Sequence, residues 1–75
     1  MVELVRYIAR SLVEKPDAVD VREVENADSI VIELRVDADD IGKVIGKQGR
    51  IAKAIRTVVK AASVNSPKPV FVEII

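Results

Sequence analysis

The stretch Val44-Ile45-Gly46-Lys47-Gln48-Gly49-Arg50-Ile51 decides the fold of this 75-residue chain, because it joins two helical patterns. Two glycines bracket a lysine and a glutamine, an apolar run precedes them, and a basic amphipathic pattern follows. Glycine lets the backbone turn sharply and lets another backbone approach closely. The start of the second helix would present free amides, which attract anions such as phosphate. The stretch predicts a tight helix–loop–helix link that serves either as a turn or as an anion-binding loop.

The two helices on either side of this link follow from hydrophobic spacing. Asp37 is a good N-cap for the first helix, and its apolar side consists of Ile41, Val44 and Ile45. The second helix is predicted from about residue 50 to residue 62. Its apolar stripe contains Ile51, Ile55, Val58, Val59 and Ala62, and its opposite stripe contains Arg50, Lys53, Arg56 and Lys60.

The rest of the chain supplies one more helix and three strands. Residues 3–14 show helical spacing, with Leu4, Val5, Ile8, Ala9 and Leu12 on one face. Residues 18–25 alternate at first and then break phase at Val24, which suggests an edge strand with a bulge or a frayed end. Residues 30–36 and 70–75 alternate as strands, and 26–29 form a turn. The order α-β-β-α-α-β predicts an α+β fold, in which three helices cover one face of a three-stranded mixed sheet. We expect a single domain over residues 1–75.

Composition narrows the classes of function. The chain has no cysteine and no histidine, which excludes disulfides, thiolate catalysis and zinc sites of the usual Cys/His type. Charges interrupt the first residues, so no secretory signal is predicted, and no stretch approaches the ~20 apolar residues of a membrane span. We expect a cytoplasmic protein that has no membrane partner. A core of this size supplies a folding stability of only roughly 3–5 kcal/mol, so self-association is a plausible source of further stability.

The net charge of zero conceals a strong asymmetry. Residues 1–40 contain 11 acidic and 5 basic side chains, whereas residues 41–75 contain 1 acidic and 7 basic. Six of those basic residues lie between Ile41 and Lys60 with no acidic residue among them. Such a one-signed segment is typical of a protein that binds a polyanion. Equally, it is consistent with a dipolar domain whose halves attract each other.

The loop itself has two interpretations. A GxxG sequence often serves only as a helix–helix connection, here with Gly46 as the C-cap. It is not a Walker A loop, because G-x-x-x-x-G-K-[ST] is absent. Lys47 and Gln48 suit no core, but both can hydrogen-bond a phosphodiester. We therefore predict that Lys47, Gln48 and Arg50 contact the sugar-phosphate backbone of a nucleic acid, with Lys43 and Lys53 as secondary candidates.

The apolar residues before the loop also have two interpretations. The first interpretation is that Ile41, Val44 and Ile45 belong to the hydrophobic core, which must hold for at least one of them. Their alternative role is an aliphatic floor for unstacked bases, since single-stranded nucleic acid is read through exposed base faces and edges. No aromatic residue lies near the loop, so such contacts would be aliphatic.

The carboxylates do not suggest an enzyme. Asp37, Asp39 and Asp40 cluster at a helix start, where aspartates usually serve as caps. General acid–base pairs need a pocket and shifted pKa values, and no nucleophile–base pair is visible. We predict no catalysis, no metal, no cofactor and no small-molecule substrate.

Taken together, the stretch from Gly42 to Arg56 resembles a K-homology (KH) domain, in which a GxxG loop clamps about four nucleotides. The element order resembles the type II, prokaryotic topology, and the whole chain is similar to small bacterial KH proteins of the KhpA type. The resemblance implies binding of single-stranded RNA by residues 46–49 and the adjoining groove. It also implies a homodimer or a larger KhpB-type partner, and a part in post-transcriptional control and in cell elongation and division.

Two functions remain open at this point. The basic GxxG helix pair favours an RNA-binding module. The small core and the free edges of a short sheet favour a protein-interaction adaptor in which dimerisation is the main role.

Overall fold

The computed structural model describes the backbone of residues 1–75 and every side chain except those of Lys43, Lys47 and Gln48. The elements in chain order are α1 (Val2–Leu12), a 3₁₀ turn (Pro16–Ala18), β1 (Asp20–Glu25), β2 (Ile30–Arg35), α2 (Ala38–Ala62) and β3 (Val70–Ile74). The predicted α+β class is confirmed.

The three strands form one mixed sheet in the order β1-β2-β3. Strands β1 and β2 are antiparallel with an unbroken one-to-one register from Asp20↔Arg35 to Glu25↔Ile30. The predicted bulge or fraying at Val24 is therefore wrong, because Val24 pairs directly with Val31. The turn between them closes with a hydrogen bond from the Asn26 amide to the Ser29 carbonyl, 2.7 Å long. Strands β2 and β3 are parallel, which the long helical crossover between them allows.

One face of the sheet carries the core. Ile32 and Leu34 of β2 are completely buried, as are Val5, Val44 and Ile55 of the helices. The partly buried residues of β3 pack against the same cluster. This alternation confirms the predicted strand faces, because residues two apart lie on the same side of a sheet.

Helix α1 buries a narrower stripe than its sequence predicts. Val5 and Ala9 are buried, but Leu4 and Leu12 are exposed. The helix packs on β1 and α2 from one side only, so its outer leucines face solvent. It also ends earlier than predicted, because Val13 is already extended at ψ 162° and Pro16 follows.

Helix α2 differs in detail from the two predicted helices. Helical hydrogen bonding runs from Ala38 to Ala62 as one element. Within it, Gly49 adopts φ 66°, which a regular right-handed helix does not contain. The GxxG loop predicted from the sequence, residues 46–49, thus lies within one helical element that has a left-handed residue at Gly49. Asp37 is the N-cap, as predicted, and accepts a 2.9 Å hydrogen bond from the Asp39 amide.

The first turn of α2 is tied to the segment that follows α1. Asp40 was predicted to be a cap but is 1% exposed, and its two oxygens accept hydrogen bonds from the amides of Glu14 and Lys15 at 3.1 and 3.0 Å. The Lys15 ammonium bonds Asp39 Oδ2 at 2.5 Å and lies 3.6 Å from Asp37 Oδ1. The hydrogen bond to Asp39, followed by the charge of Asp37, raises the pKa of Lys15. The stability that Lys15 gains from these two aspartates is therefore fully present below the ordinary lysine pKa. It is lost as the pH rises through the raised pKa of Lys15.

A second ion pair joins the β1–β2 turn to the connection before β3. Lys68 Nζ donates to Glu25 Oε2 and to the Asn26 carbonyl, both at 2.8 Å. The hydrogen bond from Lys68, and then its charge, lower the pKa of Glu25. The contribution of this exposed pair is present above the ordinary glutamate pKa and is lost as the pH falls through the lowered value.

Candidate nucleic-acid interface

Gly49 divides α2 into a first arm, residues 38–48, and a second arm, residues 50–62. In the first arm, the three apolar residues predicted to contact bases differ in burial. Val44 is completely buried and belongs to the core, and Ile41 is half-buried against it. Ile45 is 54% exposed, directly before Gly46. Of the three, Ile45 is therefore the residue with most of its side chain available to a ligand.

The glycines keep the turn region open. A Cβ atom at Gly42, Gly46 or Gly49 would meet no heavy atom within 4 Å. The space beside the backbone at Gly46 and Gly49 is therefore accessible, as close approach of a sugar-phosphate chain requires. Gly49 has a further role, because its φ of 66° lies in the left-handed region that L side chains rarely adopt.

Three predicted contact residues can be placed only by their backbone. Lys43, Lys47 and Gln48 lie within the helical element Ala38–Ala62, and their side chains lie outside the described part of the structure. The predictions for these side chains stay predictions.

The second arm of α2 presents a basic face. Arg50, Lys53, Arg56 and Lys60 are all exposed. No ion pair between described side chains involves any of these four residues, whereas Lys15 and Lys68 are paired with carboxylates. The helical spacing places the four on one side of α2, so their positive charge is directed at solvent and is available to an anion.

Beside this basic face lies an apolar groove of about 560 Å³. It runs between the last turns of α2 and the edge strand β3. Its lining residues are Arg56, Val59, Lys60, Ser63, Val64, Pro69, Val70, Phe71 and Val72. Two cations of the basic face thus lie on the rim of a cleft whose walls are mostly aliphatic.

The sheet edge in this groove carries backbone groups that no other strand of the sheet engages. Ile30 donates to the Pro69 carbonyl and Ile75 donates to the Leu34 carbonyl, each at 2.9 Å. In a parallel ladder, alternate residues face the partner strand, so the N–H and C=O groups of Val70, Val72 and Ile74 point to the outer edge. Since β3 is the last strand of the sheet, this edge offers donors and acceptors in alternation.

The groove is not evident from the sequence. The sequence predicts Arg56 and Lys60 only as members of a basic stripe, and it predicts no binding role for Val64, Val70 and Val72. The missing information was the neighbour of α2, which follows from the parallel β2–β3 pairing. A parallel crossover places its helix over the sheet beside the strand it enters, and this was the signal available in the sequence.

Other kinds of site are not supported within the described residues. No three carboxylates among them lie together in an arrangement that could hold a metal ion. None of the described helices has the length and hydropathy that crossing a membrane requires.

Comparison with known proteins places this architecture among related chains. A family model described as the KH domain of KhpA/KhpB matches residues 2–74. A relative from Clostridium perfringens, named RNA-binding protein KhpA, is 64% identical over 75 residues, the whole of both chains. Proteins with the same name from Caldanaerobacter subterraneus subsp. tengcongensis and Aquifex aeolicus are 61% and 48% identical, and the alignments span 100% and 97% of this chain and 100% and 92% of theirs.

A solved structure shows the same fold within a larger protein. It is the crystal structure of Era in complex with MgGDPNP and nucleotides 1506-1542 of 16S ribosomal RNA, with a TM-score of 0.60 and 25% identity. The match covers 99% of this chain but only 30% of that one, so this chain corresponds to less than a third of the Era chain.

The backbone conformation of Gly49 leads to a stability prediction. Gly49→Ala should lower the free energy of unfolding by roughly 1–2 kcal/mol, because an L side chain is disfavoured in the left-handed region. Space is not the cause, since the added Cβ meets nothing. Urea unfolding followed by circular dichroism measures the change.

Gly42→Ala is the matched control for that experiment. Gly42 is equally open but lies in the regular part of α2, so alanine there should stabilise the helix by up to about 1 kcal/mol. Equal stability of the two variants would contradict the left-handed geometry of Gly49.

Proposed function

The chain belongs to the KhpA/KhpB family of KH domains, and we propose that it is a non-catalytic, cytoplasmic protein that binds single-stranded RNA as one domain over residues 1–75. The observation that carries the proposal is the basic face of α2, which makes no ion pair with the described side chains and lies beside an apolar groove at the edge of the sheet. A role in post-transcriptional regulation and in cell elongation and division is part of the same proposal.

The RNA backbone is held at residues 46–49. The open space above Gly46 and Gly49 lets the sugar-phosphate chain lie against the protein backbone. Lys47, Gln48 and Arg50 supply hydrogen bonds and charge to the phosphates, and Lys43 and Lys53 add to the positive potential. A phosphodiester fits this position better than a neutral ligand, because described acids do not pair with the exposed cations that follow the loop.

The bases occupy the groove beyond the loop. Ile45 and the aliphatic groove walls cover the faces of the bases, while Arg56 and Lys60 on the rim neutralise the following phosphates. The outward N–H and C=O groups of β3 can pair with the donor and acceptor atoms on base edges. Only unpaired bases expose those edges, so the groove favours single-stranded over double-stranded RNA.

The relatives support RNA as the ligand. The similar proteins from three bacteria are each named as RNA-binding proteins. The solved structure with the same fold is a complex that includes nucleotides of 16S ribosomal RNA.

Reversal of charge in the loop tests the backbone clamp. The double variant Lys47→Asp, Gln48→Asp should bind RNA about tenfold more weakly or worse, because hydrogen bonds to charged groups contribute about 1.5–3 kcal/mol each. Fluorescence anisotropy with a labelled random-sequence single-stranded RNA measures affinity, and circular dichroism confirms folding.

A control for this variant introduces the same residues elsewhere. Arg10 and Ser11 are an adjacent, exposed basic–polar pair on α1, and Arg10→Asp, Ser11→Asp should change affinity much less. A folded loop variant that binds as tightly as the unaltered chain would refute the clamp.

Neutralising the groove rim tests its part in phosphate contact. Arg56→Gln with Lys60→Gln should weaken binding and reduce the slope of log affinity against log salt by about 1.4, or about 0.7 for each lost phosphate contact. Arg10→Gln with Arg35→Gln removes the same charge from exposed positions outside the groove lining. That pair should leave the slope nearly unchanged, and equal slopes for both variants would show that only net charge matters.

Self-association is the second part of the proposal. The core is small, the outer edge of β1 is unpaired within the sheet, and Leu4 and Leu12 are exposed apolar residues outside the groove lining. A homodimer, or a pair with a larger KhpB-type protein, would cover such surface and add avidity for RNA. The alternative function is an adaptor whose main role is this pairing.

Light scattering coupled to size exclusion distinguishes these forms. The RNA-free protein at micromolar concentration should elute with twice the chain mass of 8.2 kDa. A strict monomer over the whole concentration range would remove self-association from the proposal and leave RNA binding to a single chain.

A further inference from the structure

The buried carboxylate of Asp40 lies outside the surface proposed to contact RNA. Both of its oxygens accept backbone hydrogen bonds, from Glu14 at 3.1 Å and from Lys15 at 3.0 Å. No described buried side-chain nitrogen or oxygen lacks a hydrogen-bond partner, so this anion is fully accommodated where it is. The bonds cross 25 and 26 residues of sequence and join the end of α1 to the start of α2.

Among the described side chains, the other anchors of the first arm of α2 are Val44 in the core and the exposed contacts of Lys15 with Asp37 and Asp39. Val44, one turn after Asp40, is completely buried, but Ile41 is only half-buried and Gly42 and Ile45 are exposed. The second arm, in contrast, is fixed in the core by Ala52, Ile55 and Val59. The left-handed residue Gly49 lies between the arms, so regular helical geometry does not transmit the direction of one arm to the other.

We propose that Asp40 is a positioning residue for RNA binding: its two backbone hydrogen bonds fix the first arm of α2 and thereby set the geometry of the loop at residues 46–49. This inference rests on the proposed function and deepens it. Gly46 lies six residues beyond Asp40, or about 9 Å along a helix, so a small tilt at the anchor displaces the loop. A site held by a supported backbone loses affinity when that support is loosened, even if the contacting residues are intact.

The decisive variant is Asp40→Asn, compared with Asp39→Asn. Each removes one negative charge from the first turn of α2, and by charge alone each should strengthen binding to a polyanion. Asp39 is exposed, and its contact with the Lys15 side chain is an exposed ion pair, which contributes little to stability. The Asp39→Asn variant therefore reports mainly the effect of charge. Asparagine at position 40 presents an NH₂ group to a backbone donor and breaks the paired acceptance.

We expect Asp40→Asn to bind the random-sequence single-stranded RNA about two- to thirtyfold more weakly than Asp39→Asn, at a temperature where both are fully folded. In the RNA-free protein, NMR should show altered amide shifts at Gly46 and Gly49 and faster amide exchange at Glu14 and Lys15. The NMR readout does not depend on RNA, so it separates failure of the positioning role from failure of the proposed function.

Two further variants keep the test sharp. Val5→Ala weakens the core on α1 without touching Asp40, and it should leave RNA affinity and the loop shifts unchanged while the protein is folded. If Asp40→Asn is not fully folded, Asp40→Glu retains the charge but displaces the carboxylate, and the same measurements apply to it. A folded position-40 variant with unaltered loop shifts, or an equal loss of affinity in Val5→Ala, would overturn the proposal.

Discussion

The parallel pairing of β2 with β3 is the constraint on which the rest of this structure depends. Parallel neighbours cannot be joined by a tight turn, so the chain must return along the sheet before β3 begins. Helix α2 makes that return, and its inner face supplies Val44, Ile55 and Val59 to the core. The same pairing leaves β3 at the edge of the sheet, so the helix and the free edge form the two walls of one groove.

The distribution of buried, acidic and basic residues along α2 follows from this arrangement. A 25-residue helix with one buried stripe has most of its surface left for solvent. Acidic residues occupy its first turn, where they suit the helix dipole, and exposed cations occupy its second arm. The overall charge is zero, yet the acids that could neutralise the basic face lie elsewhere, several of them engaged with Lys15 and Lys68. The asymmetry seen in the sequence therefore persists as a surface property.

Much of this fold could be predicted because its signals are local. The alternation in β2 and the cap at Asp37 each depend on residues within one turn or one strand. The partners of Asp40 could not be predicted in this way, since they are backbone groups about 25 positions earlier and carry no side-chain signature. Sequence also treats Gly46 and Gly49 alike, whereas only Gly49 adopts positive φ. The groove was missed for a related reason: its walls come from elements that become neighbours only in the assembled sheet.

The position of β3 in the chain has a consequence for the entropy of assembly. The hairpin of β1 and β2 joins residues that are close in sequence, whereas Ile30 pairs with Val70, 40 positions later. Closing that long segment costs more chain entropy than closing the hairpin turn. The groove therefore depends on the longest-range pairing in the sheet, and loss of that pairing would remove one of its walls.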